Sequence, residues 1–201
     1  MKKKLIAASA ASLAVAAMPM VGVFATDITS ITDTVQLTVE ATCSFNTGDS
    51  SVASATTYSA TVENGAIASL SNSSSHKFNV FCNDTDGWKV TAGKPNNLTP
   101  PAEHTTNGHV ITYQASALPA ANAATEGAWI ATVSGNGVSA ELSGITTAST
   151  VNYIATDGGI IAQEGASTDG SSFTVTYGAY VGTETAADTY TGTIGYTLAA
   201  L

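Results

Sequence analysis

Arginine is absent from all 201 residues, and only six lysines stand against fifteen aspartates and glutamates. Lys2, Lys3 and Lys4 take up half of that basic charge, so the rest of the chain has only Lys77, Lys89 and Lys94 to set against every acid. Such a surface repels phosphate backbones, which excludes nucleic acid as a partner. Charged residues amount to 10% of the chain, too few for a salt-bridged helical bundle. No stretch sustains a helical hydrophobic period; "LPAANAATEGA" has room for one short turn after Pro119. Cysteine occurs twice, at Cys43 and Cys82, with no Cys-x-x-Cys pair of the kind that holds structural zinc.

What is present begins with "MKKKLIAASAASLAVAAMPMVGVFA": three lysines, an apolar run and a small-residue end. These are the parts of a Sec-type secretory signal over residues 1–25, cleaved between Ala25 and Thr26. An uncleaved membrane anchor is the other reading, because the apolar run is nearly long enough to span a bilayer. Pro19 and the Val23-Phe24-Ala25 end favour the signal, and once cleaved the chain keeps no stable membrane anchor. A secreted or cell-surface protein with two cysteines is expected to join them, and closing the Cys43–Cys82 loop contributes on the order of 3 to 4 kcal/mol. Residues 26–201 have the length of a single domain.

Alternation with a period of two dominates that domain. Val35, Leu37, Val39 and Ala41 alternate with polar residues, as do Phe78, Val80 and Cys82, then Trp88, Val90 and Ala92. Ile111 and Tyr113, Trp129 to Val133, Phe173 to Tyr177, and Tyr190 to Leu198 bring the expected strands to about eight. Between them lie turn-forming clusters such as "NTGDSS", "SNSSSH", "GKPNNLTPP" and "STDGSS". Many strands without crossover helices predict an all-β fold, and the expectation is an immunoglobulin-like antiparallel β-sandwich with Cys43 and Cys82 each ending a strand.

The motifs that carry chemistry elsewhere fail here for physical reasons. Gly135-x-Gly137-x-x-Ala140, with Asp157 twenty residues beyond Gly137, has dinucleotide-fingerprint spacing. The following "VSAELSGITTASTV" is broken by Gly144 and rich in β-branched residues, so it offers no helix N-terminus for a pyrophosphate; a hairpin turn is expected instead. In "GWKVTAGKP", five residues separate Gly87 from Gly93 and Pro95 replaces the magnesium-binding hydroxyl, so it is no phosphate loop. Ser167 in "GASTD" lacks the second glycine of a nucleophile elbow. "NDTDG" lacks the remaining ligands of a calcium loop and reads as a turn. His76, His104 and His109 do not have zinc-protease spacing and read as solvated loop histidines. No catalytic residue, metal or cofactor emerges, and the chain reads as a non-enzyme. Asn72, Asn83 and Asn97 open N-x-Ser/Thr triplets, a pattern that chance explains in a Ser/Thr-rich chain. Trp88, Trp129 and the tyrosines read as core in preference to a sugar-binding platform.

Four stretches, "VQLTVEATCSF", "FNVFCNDTDGWKVTAGK", "ITYQASA" and "FTVTYGAYVGTETAADTYTGTIGYTL", resemble the spore coat protein U-like secreted domains, a family close to the archaic chaperone-usher pilins. The chain departs from that pattern at Asp188-Thr189-Tyr190-Thr191-Gly192, where the family has a Gly-x-Tyr-x-Asp type of turn, and in its Ala/Gly/Thr-rich middle third. The resemblance implies a sandwich completed by a donated strand and a structural subunit of a surface fibre or coat, assembling by β-strand addition. It also implies self-association or related subunits as partners and a periplasmic chaperone as a candidate one. The donor implied is "TDITSITDTVQLTVE", with residues 26–34 as a flexible extension or donor strand and Ile28, Ile31, Val35, Leu37 and Val39 as anchors. Val35 to Val39 fits the first strand of its own domain equally well. The alternative function is a self-contained secreted module that binds carbohydrate or another cell.

Overall fold

The computed structural model describes residue 34 and residues 36–45, 57–70, 76–103, 109–123, 126–166 and 168–201. The signal segment, the Ala25–Thr26 junction, Ile28, Ile31, Val35, Asn72, His104 and Ser167 lie outside the described residues. Contacts define a compact body from Val39 to Leu201.

Among the described residues the strands are β1 (Cys43–Phe45), β2 (Ile67–Leu70), β3 (His76–Cys82), β4 (Trp88–Ala92), β5 (Thr112–Tyr113) and β6 (Gly127–Gly135). They continue with β7 (Ile145–Ala148), β8 (Val151–Ile154), β9 (Gly159–Glu164), β10 (Thr168–Val181) and β11 (Tyr196–Ala200). The larger sheet has the order β1-β3-β10-β6-β8-β7, and the smaller is β11-β4-β9. Every pairing is antiparallel except the two-residue match of β5 to β6. Two such sheets packed through their apolar faces make an all-β sandwich.

β10 is the spine of the larger sheet. Its first half pairs with β3, from Thr168 opposite Cys82 to Val175 opposite His76, and its second half pairs with β2, from Tyr177 to Tyr180. β2 and β3 therefore run end to end along one side of β10, while β6 covers Phe173 to Val181 on the other side. Alternation sends Phe173, Val175, Tyr177 and Ala179 inward, where they meet Phe78 and Val80 of β3 and Trp88 and Val90 of β4, all buried. Phe78 stacks on Phe173 with centroids 4.7 Å apart, and Trp88 lies over the same ring at 6.4 Å. Trp88 and Trp129 are 0% and 3% exposed, which makes them core and removes them from any sugar platform.

The chain passes from the larger sheet to the smaller through "NDTDG". Asp84 Oδ1 accepts the Asp86 N–H at 2.8 Å, a side-chain-closed turn. Gly87 follows at φ +97°, and a Cβ there would sit 1.9 Å from the Glu164 carbonyl oxygen, so only glycine fits. On the far side of the small sheet, the loop 136–144 seals β9. The Gln163 N–H donates to Gly137 O at 2.8 Å, and the Gly144 N–H donates to Ile160 O at 2.9 Å. A Cβ on Gly144 would lie 2.6 to 2.8 Å from Gly159 and Ile160 backbone atoms.

Several expectations need correction. The alternation from Val35 to Ala41 is not a strand of this body in the described part: residues 36–42 belong to no strand and β1 starts at Cys43, which opens a strand instead of ending one. The last strand is Tyr196–Ala200; Gly192 and Gly195 interrupt the earlier alternation, and Thr191 makes only an isolated bridge to Thr99. The Gly135–Gly137 turn exists, but no hairpin follows, because β6 pairs with β8 and residues 136–144 go to the small sheet. Asp157 instead accepts the Lys94 backbone N–H at 2.7 Å. β2, β7, β8 and β9 carried too little apolar alternation to be expected.

The β7–β8 hairpin turns on two residues, Ser149 and Thr150, at φ +48° and +66°. Positive φ at both central positions is what a type I′ turn demands, yet neither residue suits it, and β-branched Thr150 is strained there. Replacing the pair by Asn-Gly (S149N together with T150G) is expected to stabilise the protein by about 1 kcal/mol. A thermal midpoint raised by about 2 to 4 °C is the corresponding signal, and an unchanged or lower midpoint would contradict the strain assigned to this turn.

Candidate functional site

The two sheets are unequal in reach. β10 has 14 residues and its counterparts β4 and β11 have five each. At about 3.3 Å per residue, that is roughly 46 Å against 17 Å, so the inner face from Tyr177 to Val181 extends past the small sheet. Over that overhang lies a groove of about 1230 Å³. β3 and β10 supply its floor through His76, Phe78, Tyr177, Ala179 and Val181, while Leu98, Ile111 and Trp129 also line it. Residues 57–64 and 186–196 line the remaining sides.

Aromatic rings dominate the floor. His76 stacks on Phe78 at 4.2 Å, Tyr196 meets Phe78 edge-on at 4.9 Å, and Phe45 of β1 lies 5.4 Å from Phe78. Tyr58 rests on Tyr177 at 4.7 Å and on His76 at 5.7 Å. The Tyr177 and Tyr196 hydroxyls share a hydrogen bond of 2.8 Å. His76 is thus a buried wall of the groove, correcting its reading as a solvated loop residue. His109 lies half-buried beside Ile111. Among the described residues no cluster of His, Cys, Asp or Glu could hold a metal ion.

Burial keeps these phenols neutral. Desolvation pushes Tyr177 up to about 12, tempered by the hydrogen bond from Tyr196 and reinforced by Tyr58. Tyr196 is raised well above 10, first by burial and then by Tyr177. A groove with an aromatic floor, and sides that carry Glu63, Asp188 and several hydroxyls, suits an extended segment with alternating apolar side chains whose backbone can bond to the edge beside it. That edge is β11, the outermost strand of its sheet among the described residues.

Residues 39–42 lie at the end of β3 away from His76. Cys43 is paired directly with Cys82 and bonded to it (S–S 1.99 Å), so the bridge joins adjacent strands of one sheet. Asn83 clamps the approach to β1: its Oδ1 accepts the Thr42 N–H, and its Nδ2 donates to Glu40 O at 3.1 Å. Because β1 runs antiparallel to β3, residues 39–42 enter β1 from the end away from His76. Leu37 is 85% and Val39 73% exposed, two apolar side chains facing solvent. Asn97, of the N-x-Ser/Thr triplets, accepts the Tyr113 N–H at 2.9 Å.

Of the residues expected to matter, Cys43 and Cys82 stand together at one end of the sandwich, and Leu37 and Val39 sit close by in sequence on the departing segment. Sequence reasoning did not find the groove. Period-two alternation does place Tyr177 and Tyr196 inward, whereas Tyr58 sits in a segment with no strand pattern. No family model matches the chain, and no curated protein or solved structure shows a significant likeness to it.

The tyrosines give the site a pH signature. With a folded pKa near 12 against about 10 when unfolded, Tyr177 contributes stability that is complete below pH 10 and is lost as pH rises toward 12. Tyr196 shifts in the same direction. Thermal midpoints measured from pH 9 to 12 should fall across that window, and Tyr177→Phe should flatten part of the fall; an identical slope in the variant would refute the assignment.

Proposed function

We propose that this protein is an exported structural subunit that assembles with copies of itself by β-strand addition, the N-terminal segment of one copy entering the groove of the next. The observation that carries this reading is the groove over Tyr177 to Val181, bordered by the edge strand β11 and matched in character by the exposed Leu37 and Val39. An added strand would bond through its backbone to an edge and place alternate apolar side chains on the aromatic floor. The entry of residues 39–42 into β1 from the end of β3 away from His76 favours transfer to a neighbour. Insertion of one copy's segment into the next copy's groove is a head-to-tail contact, which propagates into a fibre unless the rotation closes.

Export is compatible with the Cys43–Cys82 bridge, and no helix among the described residues is long and apolar enough to cross a membrane. Acid-rich subunits repel one another, so association must come from apolar burial and backbone bonds, and raising the salt should favour it.

Deleting residues 26–34, or introducing L37D with V39D, should abolish multimers seen on an unboiled non-reducing gel. The thermal midpoint of the monomer should stay within about 2 °C, because both side chains are solvent-facing. Undiminished multimers in these variants would sink the proposal. A wild-type chain that stays folded and monomeric at every concentration would instead favour a self-contained binding module.

A further inference from the structure

The groove is already touched by a segment that imitates its proposed guest. Residues 57–63 read "TYSATVE", and residues 34–40 read "TVQLTVE". Threonine, threonine, valine and glutamate coincide at four of the seven positions, and apolar residues coincide at the other alternate places: Tyr58 with Val35, and Ala60 with Leu37. Segment 57–63 belongs to no strand, yet all of it lines the groove. Tyr58 covers Tyr177 and His76, and Val62 is half-buried, while Thr57, Ser59, Ala60, Thr61 and Glu63 are exposed.

The segment is fixed at one end. The Asn64 Nδ2 donates to Thr185 O at 2.9 Å, and the Gly65 N–H donates to Val181 O at 2.7 Å, which holds the turn into β2 at the far end of β10. From that hinge, 57–63 folds back to the level of Tyr177. It thus runs along β10 in the same direction as β10 itself.

We propose that residues 57–63 are an internal stand-in for residues 34–40 of a neighbouring copy, covering the groove until the neighbour's segment displaces them. This rests on the strand-addition reading above. The exchange has a direction built into it. The stand-in belongs to no strand, so the guest gains a backbone ladder that the cover does not form. The cover keeps the aromatic floor from contacts with the wrong partner, and its opening limits the fraction of molecules ready to accept a strand. The match also sets a register: Val35, Leu37 and Val39 take the places of Tyr58, Ala60 and Val62.

The probe is a fluorescein-labelled synthetic peptide of residues 26–42 added to the chain beginning at Thr26. Tyr58→Ala should speed peptide uptake about tenfold, and Ala60→Leu, which brings the cover closer to the guest, should slow it by a similar factor. Hydrogen exchange over 57–63 should rise when the peptide is bound. Binding at one common rate in all three proteins, or exchange over 57–63 that falls on binding, would overturn the stand-in while leaving strand addition intact. A peptide that binds none of the three proteins would overturn both.

Discussion

A mismatch in strand length governs this protein. Fourteen residues of β10 need an apolar partner along their inner face, and the small sheet supplies strands of five or six. Where the sheets overlap, Phe173, Phe78 and Trp88 close into a dry core. Where they do not, the same alternation continues but the inward residues change to Tyr177, Ala179 and Val181, and the opposing ring is Tyr196. Tyrosine in place of phenylalanine is consistent with a surface that is neither fully buried nor fully wet, because each ring needs a partner for its hydroxyl. The Tyr177–Tyr196 hydrogen bond meets that need at the place where β11 begins.

The two edges of the small sheet are handled in opposite ways. β9 is sealed by the loop 136–144, whose glycines let backbone lie against backbone and give the strand its missing hydrogen bonds. Among the described residues no strand pairs with the outer edge of β11, although an open edge invites uncontrolled pairing and is usually blunted. A fold that closes one edge with a tailored glycine loop and leaves the other beside an aromatic groove separates the part that must not pair from the part that can. In the proposed assembly, the excess of acids over lysines would act as a general brake, letting copies approach only where apolar contact outweighs repulsion.

Local pattern made much of the fold legible and left the site hidden. β3, β4, β6 and β10 were readable because Phe, Val, Trp and Tyr recur at every second position, and their partners bury the alternate set. β7 and β8 were not, since threonine, alanine and asparagine at an outer edge carry no clear inside and outside. The run from Val35 to Ala41 shows the opposite failure. Its alternation is strong, but alternation states only that a segment suits a sheet, not which sheet, and here Leu37 and Val39 face solvent. The groove arises from the different lengths of strands distant in sequence, a property that no window of residues contains. Tyr58 reaches it from a segment outside any strand, and so left no local mark.

The disulfide gains a mechanical meaning from this arrangement. β1 is only three residues long and could be peeled from β3 by breaking very few backbone bonds, yet it is the root of the segment that leads out of the body. In a head-to-tail assembly, tension on residues 34–42 would enter the sandwich at Cys43. The bond to Cys82 passes it directly into β3, and from there into β10 through a full ladder of hydrogen bonds. A bridge between the two sheets would stabilise the core equally well, but it would leave the three-residue strand to carry the load. Joining neighbouring strands at the end where the chain departs is the placement that tension requires, and it keeps Phe45 against Phe78 at the border of the groove.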